Sequence, residues 1–506
     1  MPKAETATPV LAWTDRLPVW TTGLSLGVWL IIATGVVAGA ILLMSTATIE
    51  DDRERMELWV FADMHVRLYE PVIERWNEEQ GSSGAPAVEQ TMLGVPALQR
   101  RMLAGFFGGL PTADLIEVER TMAGQLFAGP IDSVGFVDLT ELLEDEGLLD
   151  QIPAASYTPW TTRGRIFGLP HDVHPVLLGV RMDIVKEAGL TLDGVETWSN
   201  LIDALRPLVT DSDGDGEIDR YLLAFWPNDM HREKIEALLL QSGGGLFDTN
   251  GQPTIATEAH ARTLATMVSW CVGPDRIAAD VRDFQATGNQ LKADGYAVAY
   301  FMPDWMCNVW RNELPNMAGT LEIIPLPAAE PGGRRASVWG GTMLGIPKTA
   351  PDFDAAWRFA KHLYFSPELA RELYTKGDIV TPNRSFWNDP VFDTPDPYYR
   401  GQRKGRLYID HVEQVPARNA SPFNQTAMVR IANASTALLR YAEREGLHEP
   451  DDLEEEAMRQ LKIAERGVRR LMARNLFVGG EVGGEQPIDE ALGTTRDATN
   501  APEAMP

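Results

Sequence analysis

Between Glu57 and Val118 the chain alternates through five segments of different hydrophobic period, and this constrains its fold more than any other feature. Glu57–Phe61 (ELWVF) has the length and composition of a strand. Val66–Glu79 places Leu68, Val72, Ile73 and Trp76 on one face at helical spacing. Val88–Met92 reads as a second strand, Val95–Phe106 as a second helix and Ala113–Val118 (ADLIEV) as a third strand. Strand–helix–strand–helix–strand order predicts a parallel sheet with helical crossovers, an α/β architecture.

The pattern resumes further on. Arg163–Leu201 runs from an apolar stretch ending in Gly168-Leu169-Pro170, through a His-rich turn (His171, Asp172, His174, Pro175), to the strand Val176–Val180. A helix over Met182–Ala188 stops at Gly189, and Thr197 is placed to N-cap a helix over Trp198–Leu208. Tyr221–Trp226, Gly295–Met302, Leu321–Leu326 and Ala336–Lys348 read as further strands. Helices are expected over His231–Gln241, Thr257–Trp270 and Phe353–Leu363, from Ser366-Pro367-Glu368 onward, and over Ser421–Tyr441 and Asp452–Asn475. With 506 residues there is room for two or three domains.

The order of these pieces resembles the bacterial ABC-transporter extracellular solute-binding proteins of family 1, the sugar-binding, maltose-binding-protein-like group. The resemblance rests on the run into Gly168-Leu169-Pro170, the helix ending Glu187-Ala188-Gly189-Leu190, Thr197-Trp198 with Leu201, Gly244-Gly245-Leu246-Phe247-Asp248 and Trp339-Gly340-Gly341. It implies a two-lobed periplasmic-binding-protein fold of type II, with lobe I from 56–167 and 336–378 and lobe II from 168–335 and 379–477. It also implies capture of a carbohydrate (sugar, oligosaccharide or polyol) between the lobes, delivery to ABC permease subunits, a monomer, and no catalysis.

Strand ends are where open α/β sheets bind ligands. The candidates there are Asp63 and His65, Glu119, Asp172 and His174, Trp226, Asp304 and Trp305, Trp339 with Gly340 and Gly341, and Arg384. Aromatic faces suit the apolar faces of sugar rings, and polar groups suit their hydroxyls. Each has a plainer alternative: Asp63 as a helix cap, Glu119 paired with Arg120, a tryptophan as core, the glycine pair as a tight bend. Few basic residues mark these positions, which favours a neutral ligand. Nucleophile-elbow, zinc-protease and phosphate-loop motifs are missing from the sequence. Asp172 with Glu119 as a glycosidase pair, or His171, Asp172 and His174 as metal ligands, are weaker readings of the same residues.

Asp211, Asp213, Asp215 and Asp219 alternate through DSDGDGEID like the start of a Ca²⁺ loop, but Leu222 stands where a bidentate Glu would close it. The alternatives are a structural Ca²⁺ site and an acidic surface turn; no other cofactor is expected. Cys271 and Cys307 allow one disulfide or two buried thiols. A net charge of −27 argues against nucleic acid as a partner.

The N-terminus adds an anchor. Val19–Met44 carries no charged residue and is long enough for a transmembrane signal-anchor helix, although Ser45-Thr46-Ala47 offers a cleavage site. The expected order is a cytoplasmic segment 1–18, the span 19–44 and a linker 45–55, then a large domain on the periplasmic or extracellular side of the inner membrane. A disordered tail over 478–506 ends the chain. A ligand-sensing ectodomain acting through a membrane partner, and a glycan-processing enzyme, are the competing functions.

Overall fold

The computed structural model describes residues 25–45, 55–80, 86–211 and 214–475. The chain divides into two units, Met1–Glu54 and Arg55–Pro506. In the first, the described part is helix α1, Leu26–Ser45. Among the described residues no helix is long and apolar enough to cross a membrane, so the expected span is not supported. The expected segment 1–18, the linker up to residue 54 and the tail 478–506 lie outside the described residues.

The second unit is built on two sheets. The first comprises β1 (Arg55–Val60), β2 (Ala87–Met92), β3 (Leu115–Glu119), β6 (Leu169–Pro170) and β13 (Thr342–Gly345), in the order β2-β1-β3-β13-β6. β1 pairs in parallel with β2 and β3, through helices α2 (Asp63–Gln80) and α3 (Val95–Gly108), as the alternation predicts. β13 enters antiparallel between β3 and β6. Leu58, Val60 and Leu115 feed one apolar layer, while Trp59, Ile116 and Val118 feed the other. This two-sided burial is what parallel strands with helical crossovers require.

β4 (Thr161–Thr162) and β5 (Arg165–Ile166) form a small hairpin. The second sheet comprises β7 (Pro175–Arg181), β8 (Tyr221–Ala224), β9 (Ala278–Ala279), β10 (Ala297–Pro303) and β11 (Leu321–Ile324), ordered β11-β7-β10-β8-β9, with β12 (Ser337–Val338) also on β7. β7 alternates in the same way: Val176, Leu178 and Val180 face one core, Leu177 the other. The C-terminal helices Asn424–Glu445 and Pro450–Met472 pack into the first of these cores.

Three segments pass between the sheets: 171–174 from β6 to β7, 339–341 from β12 to β13, and the chain around Ile379–Thr381. The first two crossings therefore fall a few residues later than the expected 167/168 and 335/336, because Leu169–Pro170 still pairs with β13 and Ser337–Val338 still pairs with β7. The single strand expected over Ala336–Lys348 is broken at Gly340 and Gly341, whose φ of 102° and 136° favour glycine. Thr197 and Ser366 cap their helices as expected. The helix after Thr197 ends at Leu205, because Pro207 lacks an amide proton, and a 3₁₀ turn finishes the segment. Cys271 and Cys307 are buried free thiols, and burial pushes Cys307 up to about 12.

Candidate functional site

The crossing segments meet where β3 and β10 end and β13 begins, and a cavity of about 340 Å³ opens there between the lobes. Phe61, Met64, His65 and Glu119 come to it from the first lobe, and Glu233 and Trp305 from the second. Trp339, Gly340, Gly341, Ile379 and His174 belong to the crossings. Seven of the twelve expected ligand-binding residues line this cavity: His65, Glu119, His174, Trp305, Trp339, Gly340 and Gly341.

The aromatic wall is built around Trp305, at the turn from β10 into the helix Met306–Glu313. Its indole Nε1 donates to the Trp339 carbonyl at 3.1 Å, and the two rings meet edge to face at 5.7 Å and 84°. The exposed Phe284 lies parallel to Trp305, with centroids 6.1 Å apart. A Cβ on Gly340 would come within 2.9 Å of the His174 ring and 3.1 Å of Trp305 Nε1. The glycine is what allows the crossing to pass so close to both.

Beneath this wall His174 bridges two carboxylates. Its Nε2 lies 3.0 Å from Asp172 Oδ2 and its Nδ1 2.7 Å from Asp304 Oδ1. Burial alone would lower the imidazole pKa, but the two carboxylates overcome it and hold the ring protonated, its pKa raised to about 10. Asp172, though buried, is held well below the usual carboxylate range by His174 and His171. Asp304 Oδ2 accepts the Val380 amide at 2.7 Å, so one buried network joins the first and third crossings. Asp172 and Asp304 thus stand behind the lining rather than in it.

Glu119 caps the short helix α4 (Arg120–Leu126), accepting the Thr121 amide at 2.9 Å, and still reaches the cavity. Burial raises its pKa. Arg120 reaches across to the helix Arg232–Gly243 of the second lobe, donating to Glu233 at 2.6 Å and to Glu236 at 2.8 Å. Next to it lies Arg418, which sequence reasoning missed. It is buried, donates to the Gly340 carbonyl, and has its pKa pushed down to about 10 by burial and by Arg120. Its Nε and Nη1 have no hydrogen-bond partner among the described residues. Beyond Arg418 a second inter-lobe hollow of about 490 Å³ is lined by Tyr157, Thr158, Arg163, Asn250 and Asn419.

Three candidates lie elsewhere. Asp63 is exposed in the first turn of α2 and pairs with Arg67 rather than lining the cavity. Trp226 packs against the second-lobe core. Arg384 pairs with Glu413 at 3.0 Å and donates to the Asp150 carbonyl. In the acidic loop Asp211 accepts the Gly214 and Gly216 amides at 2.7 and 2.9 Å, and Asp215 accepts that of Glu217 at 2.8 Å, as acidic turns do with or without an ion. Asp213 lies outside the described residues.

The sequence profile of the bacterial extracellular solute-binding proteins matches residues 72–368. An arabinooligosaccharide-binding protein of Halalkalibacterium halodurans is 24% identical over 416 residues, covering 80% of this chain and 89% of that one. Another of the same description, from Bacillus subtilis, is 22% identical over 356 residues, covering 69% and 77%. Among solved structures, the sugar-binding protein MalE of Xanthomonas citri superposes with a TM-score of 0.64 at 16% identity, covering 83% of this chain and 99% of that one.

Proposed function

Since the chain belongs to the bacterial extracellular solute-binding proteins, we propose that it captures a carbohydrate between its lobes and presents it to the permease of an ABC transporter. The observation that carries this reading is the inter-lobe cavity, which Trp305 and Trp339 line together with Glu119 and Glu233. Aromatic faces take the apolar side of a pyranose or furanose ring, and carboxylates accept hydrogen bonds from its hydroxyls. The second hollow, rich in hydroxyl and amide groups, supports an oligosaccharide over a monosaccharide, and the described activity of the two relatives agrees with that size. No bond is made or broken in this function. Ligand contacts both lobes only when they are shut, so binding shifts the population toward closure.

The family description places such domains outside the cytoplasm. The uncharged run 19–44 supports an N-terminal tether to the inner membrane over a released protein. N-terminal sequencing of the protein recovered from membranes tests this: retention of residues 1–44 supports a tether, and a mature start near Ala47 overturns it. Capture itself is tested by titrating the protein with arabino-, malto- and galacto-oligosaccharides in a calorimeter while assaying the sugars for cleavage.

A further inference from the structure

The first crossing carries a histidine that the hinge network only half uses. His171 is buried, and its Nδ1 lies 3.0 Å from Asp172 Oδ2. Its Nε2 is buried with no hydrogen-bond partner among the described residues, and such a nitrogen is costly to leave bare. His65, from α2, packs beside it with ring centroids 4.7 Å apart. Glu117, from β3, is wholly buried, with Oε2 2.9 Å from His65 Nδ1. One ligand atom from each of His65, Glu117 and His171 falls within 4.8 Å of the other two.

We propose that His65, Glu117 and His171 bind one divalent transition-metal ion, zinc by the chemistry of the donors, at the floor of the cleft. Two imidazoles and one carboxylate form a common zinc donor set, with a fourth position left for water or ligand. The surroundings suit the ion. Asp172 stands behind His171 as a carboxylate stands behind a metal-bound histidine, fixing its tautomer and ring orientation. The Tyr69 and Tyr364 hydroxyls both donate to Glu117 Oε1, the latter at 3.0 Å, and hold the carboxylate in place. His65 also lines the cavity, so the ion lies next to the captured sugar. It ties α2, β3 and the first crossing together, and so stiffens one hinge segment.

The test uses the full chain, stripped with a chelator and titrated with Co²⁺ as a spectroscopic stand-in, then with Zn²⁺ as competitor. The expected result is a visible absorption band that saturates at one Co²⁺ per chain and is displaced by one Zn²⁺. His171→Gln removes the band and weakens binding by at least about tenfold, whereas Asp211→Asn, in the acidic loop, leaves both unchanged. His65→Gln, at the cavity wall, gives the same answer should His171→Gln fail to fold. The absence of a saturable band in the unmutated chain, or a band unchanged in a folded His171→Gln or His65→Gln variant, overturns the site. Failure here is distinguishable from failure of carbohydrate capture, which is read separately from the heat of sugar binding.

Discussion

The guanidinium of Arg120 on the first lobe lies 2.6 Å from the carboxylate of Glu233 on the second, and both are largely shielded from water. Glu236 completes the pair at 2.8 Å. A buried ion pair therefore joins the two lobes. Removing one partner of such a pair strands the other charge, at a cost of about 3–5 kcal/mol unless the structure opens to hydrate it.

Arg120→Ala accordingly shifts the lobes toward the open state. Small-angle scattering detects this as a larger radius of gyration without sugar that returns to the parental value at saturating sugar. An unchanged ligand-free radius removes the pair as a latch.

Trp305→Ala takes away the centre of the aromatic wall. The expected loss is about 2 kcal/mol of sugar affinity, roughly thirtyfold, with the melting temperature little changed. Trp305→Phe recovers part of it. Calorimetric titration checks this, and full affinity in a folded Trp305→Ala variant takes Trp305 out of the site.

Gly340→Ala puts a Cβ 2.9 Å from the His174 ring at a backbone φ of 102°. A strained residue of this kind costs about 1–3 kcal/mol. Thermal unfolding reads the loss, and sugar affinity falls with it because His174 and Trp305 are displaced together. Gly319→Ala, whose Cβ meets nothing within 4 Å at a φ of 78°, isolates the backbone cost alone.

Asp280 supports the turn leading into the helix that carries Glu233 to the cleft, through a 2.8 Å contact with His231 Nε2. That contact, against a smaller opposing effect of burial, lowers the Asp280 carboxyl to about 2. A carboxyl depressed in the folded state adds stability that is present above its unfolded value, about 3.9, and is lost as the pH falls through about 2. Asp280→Asn should therefore reduce the melting temperature at pH 6 and make it less sensitive to acid between pH 4 and pH 2 than the parent. Parallel acid limbs for the two proteins contradict this.

Much of the site was legible because it lies where strands end. The period change after Glu57–Phe61 placed His65, and the apolar run Gly295–Met302 placed Asp304 and Trp305 just beyond it. Gly340 and Gly341 stood out as a pair that no regular strand needs. What escaped was residues that only tertiary structure brings in. Arg418 sits in an irregular segment with no periodic signal and meets Gly340 across 78 positions of sequence. Glu233 and Glu236 lie in a segment whose sequence shows a helix but not that both acids meet Arg120 from the other lobe. Asp63 and Arg384 were misplaced for the opposite reason: each follows a strand or a crossing, but exposed partners, Arg67 and Glu413, claim their charges.

The central claim is capture without chemistry, and calorimetric titration of the full chain with arabino- and malto-oligosaccharides, alongside analysis of the recovered sugar, tests it most directly. The account predicts saturable binding of one sugar class, one molecule per chain, with the sugar recovered intact and the affinity lowered in Trp305→Ala. Cleavage of the sugar, or no heat of binding from a folded protein across both series, would contradict it.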